Sequence, residues 1–129
     1  MATGLLAASP EDVVGELKSL LSPPDVAVLS AGLAEELLAS TGEGIGAGRD
    51  GWLDDDLAFV RPWGFELSSI SVPVQLWQGR QDLMVPPAHG EWLAAHIPGA
   101  EARLSDDDGH LSLELLRVGE AHAWLLERY

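Results

Sequence analysis

Two side chains in this sequence, Asp82 and His110, are candidates for acid–base chemistry. Asp82 ends the run Gly79–Asp82, and His110 directly follows Gly109. A carboxylate that accepts a hydrogen bond from one imidazole nitrogen fixes the tautomer of the ring and stabilises the imidazolium, while the other nitrogen faces a nucleophile. The two residue types therefore indicate the acid–base part of a nucleophilic site, provided that the fold brings them together.

The elements around these residues predict a parallel unit of strand, helix, strand and helix. Val72–Trp77 is a near-continuous apolar run bounded by Gly79, which is typical of a strand buried on both faces. A helix is predicted over residues 86–97 and a second short strand over residues 100–104. A final helix is predicted from about residue 112 onward. Adjacent parallel strands lie about 4.8 Å apart, and functional loops follow their carboxyl ends. We therefore expect the side chains of Asp82 and His110 to meet at hydrogen-bond distance.

The chain before residue 70 carries helix signals and no strand signal. One helix is predicted over residues 9–21, one or two helices over residues 26–39 and another over residues 50–60. The run Ser22–Asp25 is a helix-start signal, and the four glycines in the stretch from Thr41 to Gly48 predict a loop or a frayed helix end. The sequence therefore predicts two parts, a helical, cap-like region over residues 1–69 and a βαβα part over residues 70–129.

Residues from about Ile70 to Tyr129 resemble the C-terminal part of an α/β-hydrolase. The run Val72–Pro87, with the acid at Asp82, is similar to the acid-bearing strand and loop of that family, and Gly109-His110-Leu111 is similar to its histidine loop. The resemblance implies an α/β protein with an incomplete α/β-hydrolase fold, in which Asp82 is the catalytic acid and His110 the general base. It also implies hydrolysis of an ester or related bond in a small-molecule substrate, without a cofactor.

The nucleophile of such a hydrolase is missing from this sequence. No Gly-x-Ser-x-Gly occurs, and Ser30, in the nearest serine segment, lacks the first glycine and is predicted to cap or pack a helix. The oxyanion loop of the family is missing too. We therefore expect the chain to lack the N-terminal, nucleophile-bearing half and to be inactive alone. Two alternatives remain open, a non-catalytic dimeric remnant or interaction module and one half of a split hydrolase.

Composition limits the partners of this chain of 129 residues. Its formal charge of −14, from 7 Lys and Arg against 21 Asp and Glu, disfavours nucleic acid and anionic membrane surfaces. Cysteine is absent and the start shows no signal-peptide pattern, which together favour a cytoplasmic location. A homodimer is predicted, because the strand Val72–Trp77 would have one bare edge without the missing half.

Acidic runs and histidines elsewhere could suggest metal binding. The acids Asp54–Asp56 and Asp106–Asp108 are consecutive, so they point in different directions and lack the alternating spacing of a calcium loop. His89 and His96 share a face of one predicted helix, but no third ligand is visible. We therefore predict solvated acidic loops and surface histidines, with neither a metal nor a cofactor.

Overall fold

The computed structural model of the protein describes Asp12, Gly15, residues 19–46 and residues 48–128. Contacts within the chain divide it into two compact units. The helical unit comprises Met1–Leu17 with Ser30–Glu66, and the sheet unit comprises Lys18–Leu29 with Leu67–Tyr129. Lys18–Leu29 is thus grouped with the strands, although the sequence places it in the cap-like region. The role of residues 1–69 as a cap stays a prediction.

Most of the helices and strands in the described part of the chain belong to the sheet unit. They are α1 (Pro23–Val28), α2 (Ala31–Gly46), α3 (Asp50–Phe59), a 3-10 turn (Leu67–Ser69), β1 (Gln75–Gly79), α4 (Pro87–His96), β2 (Glu101–Ser105) and α5 (Leu111–Leu126). Of these, α2 and α3 lie in the helical unit. The helix predicted over residues 9–21 lies mostly outside the described residues, of which Asp12 and Gly15 are helical.

The two strands form a parallel sheet. Gln75 of β1 stands opposite Glu101 of β2 at one end, and Gly79 stands opposite Ser105 at the other. α4 is the crossover helix between the strands, and α5 follows β2. The protein is therefore of mixed α/β class, and the predicted order of strand, helix, strand and helix is confirmed. Because both strands end at the same edge of the sheet, the loops that follow them are brought together.

β1 begins at Gln75 rather than at Val72, where the sequence predicts it. Pro73 has no N–H to donate to a partner strand, and pairing starts where Val74 accepts a hydrogen bond from Glu101. Only the last two residues of β1 are buried, and Val72 is 63% exposed. The apolar run is therefore not covered on both faces by the residues that the structure describes.

Of the two predictions for the stretch from Thr41 to Gly48, a loop is wrong, because α2 continues to Gly46 and the glycines lie at the end of a helix. Each glycine in a helix interior costs about 0.5–1 kcal/mol relative to alanine. Ile45 is buried, and burying a side chain of that size contributes about 1.5–3 kcal/mol, which offsets part of the cost. The helix ends before Gly48, whose φ of 142° is a conformation that other residues rarely adopt.

α3 confirms the helix predicted over residues 50–60, and Pro62 follows shortly after its end. None of the residues of α3 is buried.

Among the residues that the structure describes, no helix combines the length and the apolar character needed to cross a membrane.

Candidate active site

Asp82 and His110 lie side by side beyond the carboxyl ends of β1 and β2. Nδ1 of His110 lies 2.9 Å from Oδ2 of Asp82, which is a hydrogen bond between the two side chains. Asp82 stands in the loop after β1, and His110 stands immediately before α5. The predicted meeting of the two side chains is therefore confirmed, whereas their catalytic role stays a prediction.

The carboxylate of Asp82 is fixed by several donors. Its Oδ1 accepts the backbone N–H groups of Met84 and Val85, each at 2.8 Å. Its Oδ2 accepts His110 and, in a longer contact of 3.5 Å, Nε2 of Gln78. The side chain is only 4% exposed. These contacts restrict the carboxylate to one orientation, with Oδ2 directed at the imidazole.

The imidazole of His110 keeps its second nitrogen available. An ionised carboxylate can only accept hydrogen bonds, so Nδ1 donates to Asp82 and Nε2 carries the lone pair of the neutral ring. No hydrogen bond joins Nε2 to another residue in the described part of the chain, and the side chain is 38% exposed. Nε2 is therefore in a position to take a proton from a nucleophile.

A groove of about 430 Å³ opens beside the pair. Its walls are mainly apolar and come from β1, the loop after it and α5, with Val85, Leu113 and Val118 among the side chains that line it. Arg117 lines the same groove. The pair therefore borders a concave, largely apolar surface, which is the usual setting of a small-molecule site.

Backbone hydrogen bonds join the loops that carry the two side chains. The N–H of Arg80 donates to the carbonyl of Ser105 at 2.8 Å. The N–H of Gln81 donates to the carbonyl of Asp108 at 3.1 Å. These bonds extend the pairing of β1 and β2 by one step, so the acid loop and the histidine loop are held as one piece.

A carboxylate on α1 reaches the histidine loop from elsewhere in the chain. Asp25 is fully buried and accepts the N–H groups of His110, at 3.1 Å, and Ser112, at 3.0 Å. Burial alone raises the pKa of Asp25, but hydrogen bonds from Ser112, Ser22 and His110 together hold that pKa below its usual value. From the sequence, Asp25 was only part of a helix-start signal, because no local pattern reveals a partner 85 residues away.

Asp108 corrects the prediction that the whole acidic run before His110 is solvated. Asp108 is buried, and it accepts the hydroxyl of Ser105 at 2.6 Å and Nε of Arg117 at 2.9 Å. The hydrogen bond with Asp108 raises the pKa of the Arg117 guanidinium, which also contacts Glu120 at 3.3 Å. The salt bridge to Arg117 on α5 explains why Asp108 can be buried. Arg117 is the sequence feature that could have indicated a buried partner for Asp108.

The other candidate residues are exposed, as predicted. Asp54–Asp56 lie on α3 rather than in a loop, and His89 and His96 lie on α4. Within the described ranges, no group of three or more His, Cys, Asp or Glu side chains could hold a metal ion. Ser30 accepts the N–H of Leu33 at 3.2 Å, which confirms its prediction as a helix cap.

Comparison with known proteins links part of the chain to a hydrolase. The chain is similar to a pimeloyl-[acyl-carrier protein] methyl ester esterase from Aromatoleum aromaticum, with 38% identity over 66 residues. The match covers 51% of this chain but 24% of that esterase, so the chain spans about a quarter of the length of the curated relative. No family model matches the chain, and no solved structure matches it.

Proposed function

We propose that Asp82 and His110 are the acid and the general base of a site that hydrolyses an ester or related bond. The observation that carries the proposal is the 2.9 Å hydrogen bond between Nδ1 of His110 and Oδ2 of Asp82. It leaves Nε2 open beside a groove. The partial similarity to an esterase supports the same reaction class, as does the resemblance of residues 70–129 to α/β-hydrolases.

In this proposal each of the two residues has a separate role in the reaction. Nε2 of His110 would take the proton of an attacking hydroxyl, and the resulting imidazolium would be stabilised by the carboxylate of Asp82. The imidazolium would then give the proton to the leaving alcohol, which restores the neutral ring. Asp82 would accept the Nδ1–H of the ring throughout, while its Oδ1 stays hydrogen-bonded to the N–H groups of Met84 and Val85.

The nucleophile in this proposal comes from outside the described residues. Among the described residues, Ser22 and Ser112 donate to Asp25 and Ser105 donates to Asp108, so these three hydroxyl groups are already engaged. We therefore propose that the chain corresponds to the C-terminal part of an α/β-hydrolase. The rest of a longer hydrolase, or a separate half, would supply the nucleophilic serine and the oxyanion donors.

A graft tests this proposal directly. Residues 19–129 of this chain, which carry Asp25 as well as the Asp82–His110 pair, would replace the C-terminal segment of the Aromatoleum aromaticum esterase. Hydrolysis of a p-nitrophenyl ester would then be measured. We expect activity in the graft, and we expect His110→Ala to lower kcat/KM by roughly a thousandfold because the general base is lost. Asp82→Asn should also lower it strongly, since the amide favours the wrong tautomer.

The matched control for the graft is Asp107→Asn, which removes an exposed acid of the same loop. Its activity should equal that of the unchanged graft. A folded graft whose hydrolysis is unaffected by His110→Ala would reject the proposed roles. Labelling by a serine-reactive fluorophosphonate reports on the nucleophile separately, so a failure of the grafted pair can be told from a failure of the host enzyme.

A second candidate is a non-catalytic, self-associating protein. Within the described residues β1 pairs with β2 alone, and the first three residues of β1 are only partly buried. An unpaired strand edge is a template for pairing with another chain. On this alternative the Asp82–His110 pair would be a structural remnant, and the graft would be inactive although folded.

A further inference from the structure

We propose that Asp25 is a positioning residue for His110, which fixes the backbone of the histidine while Asp82 fixes its ring. The inference rests on the proposed function of the Asp82–His110 pair and adds a residue to it. Asp25 touches no reacting atom, so its effect on the imidazole would be transmitted through the backbone N–H of His110.

The contacts of Asp25 converge on the turn that carries His110. Oδ2 accepts the N–H of His110 at 3.1 Å, and Oδ1 accepts both the N–H and the hydroxyl of Ser112, at 3.0 and 3.1 Å. On its own helix, Asp25 accepts the hydroxyl of Ser22 at 2.8 Å. Oδ2 is thus shared between α1 and the turn that carries His110, whereas Oδ1 contacts that turn alone. The side chain is inaccessible to solvent.

Electrostatics favours a charged group at this place. α5 begins at Leu111, and the first N–H groups of a helix have no partner inside the helix and carry a partial positive charge. Asp25 supplies a negative charge and two acceptor oxygens to these groups. Hydrogen bonds between ionised and neutral groups are stronger than those between neutral groups, so the carboxylate is the most effective restraint on this turn.

The space around Gly109 shows how closely the restraint is applied. A Cβ atom at Gly109 would lie 2.2 Å from Oγ of Ser22 and 2.3 Å from Oδ2 of Asp25, distances that atoms do not tolerate. The N–H of Gly109 instead donates to the hydroxyl of Ser112 at 2.8 Å. The residue before His110 therefore lies in close contact with Ser22 and Asp25, and a side chain at position 109 would displace this contact.

A purely structural role would stabilise α5 without affecting the imidazole. The positioning role predicts more: without the Asp25 restraint, Nδ1 of His110 would no longer face Oδ2 of Asp82. The ring would then lose its single tautomer, because Asp82 is the only contact among the described residues that selects the Nδ1–H form. The tautomer ratio of His110 distinguishes the two roles, and it can be measured without any catalytic activity.

The experiment is long-range ¹H–¹⁵N NMR on the full chain at neutral pH, with the His110 signals assigned by their loss in His110→Ala. We expect the wild type to show mainly the Nδ1–H tautomer. In Asp25→Asn the ratio of Nδ1–H to Nε2–H should fall about tenfold, comparable to the loss of one charge-assisted hydrogen bond. Asp82→Asn should lower the ratio as well, and the exposed Asp107→Asn should leave it unchanged.

A wild-type tautomer ratio in folded Asp25→Asn would overturn the inference and leave the proposed function intact, because the graft tests that function without this measurement. Backbone amide signals of β1 and β2 show whether each variant is folded. If Asp25→Asn does not fold, Ser22→Ala retains the carboxylate and removes one of its donors. The ratio should then fall by a smaller factor, and an unchanged ratio in Ser22→Ala would equally reject the positioning role.

Discussion

A Cβ atom on Gly79 would lie 2.3 Å from the carbonyl oxygen of Gly109, so the end of β1 and the histidine loop approach more closely than any side chain allows. The carbonyl of Asp108 would lie equally close, at 2.4 Å. Both obstacles are backbone atoms, which cannot rotate away as a flexible side chain can. Because Gly79 has no side chain, the loop that carries Asp82 and the loop that carries His110 can lie this close together.

The first prediction concerns this contact. We expect Gly79→Ala to lower the free energy of unfolding by about 1–3 kcal/mol, because the added methyl group forces the two loops apart. Gly119→Ala is the matched control, since a Cβ at that exposed position of α5 meets no atom. It should raise stability by up to about 1 kcal/mol. Urea unfolding measures both, and equal effects of the two substitutions would contradict the prediction.

The second prediction is that the chain alone does not hydrolyse esters by way of His110. A general base without a nucleophile to activate does not start the reaction. Purified chain, incubated with a p-nitrophenyl ester, should show only slow background release that is the same in His110→Ala. Turnover that disappears with His110→Ala would show that the nucleophile is already present in this chain.

The third prediction is a pH dependence that comes from Asp25. Its pKa in the folded protein is lower than the ordinary value of 3.8, so the folded protein holds that proton more weakly than the unfolded chain does. The ionised carboxylate therefore stabilises the fold at pH values above 3.8, and this contribution is lost as the pH falls through the lower, folded pKa.

Urea unfolding of the wild type and of Asp25→Asn checks this dependence. At neutral pH, Asp25→Asn should be less stable by about 1–3 kcal/mol, because one of the two acceptor oxygens is replaced by an amide NH2 that faces buried donors. The difference should shrink as the pH is lowered below the ordinary pKa of an aspartate. Asp107→Asn should show little difference at any pH. If the stability difference between wild type and Asp25→Asn grows towards acid pH, the prediction is wrong.

The fourth prediction is a homodimer built on the free edge of β1. A strand related to itself by a two-fold axis pairs antiparallel, which would join the two sheets of a dimer into one sheet of four strands. Light scattering at micromolar concentration should therefore give twice the 13.7 kDa of one chain. A mass of 13.7 kDa would exclude the dimer.

A single substitution places the contact within such a dimer. Val74 accepts a hydrogen bond from β2, so the backbone groups of the next residue, Gln75, face the opposite edge. Gln75→Pro removes that N–H, and we expect it to shift the mass towards one chain. Leu116→Lys, on an exposed position of α5, is the comparison, because it alters a helix and leaves the strand edge intact. If Leu116→Lys alone dissociates the dimer, the contact lies on the helices.

The sequence predicts those parts of the fold and site that depend on short stretches of chain. The order of the strands and helices followed from local apolar patterns, and parallel pairing then brought Asp82 and His110 together. Asp25 was not predicted as part of this region, because its partners His110 and Ser112 lie 85 and 87 residues further along the chain. A local pattern cannot encode such a distance.

The prediction that Asp108 is solvated and the prediction of a loop after Thr41 were wrong for a related reason. A run of three acids suggests solvation when it is considered alone, and only the three-dimensional approach of Arg117 makes burial of Asp108 possible. The glycines between Thr41 and Gly46 weaken a helix locally, and the burial of Ile45 compensates only in the folded unit. In both cases a tertiary contact outweighs the local preference.

The pairing of Arg117 with Asp108 and Glu120 affects how the product of the proposed hydrolysis would leave the groove. Arg117 lines the groove beside His110, but its positive charge is already shared by two carboxylates. A neutral ester could enter without an electrostatic penalty, whereas its hydrolysis would release an acid that is anionic at neutral pH. Glu114 and Asp82 line the same groove, and the whole chain carries a charge of −14, so this acid would be repelled as soon as it formed. The groove would thus favour the departure of the acid over its retention, and added salt, by screening the repulsion, would strengthen inhibition by the product.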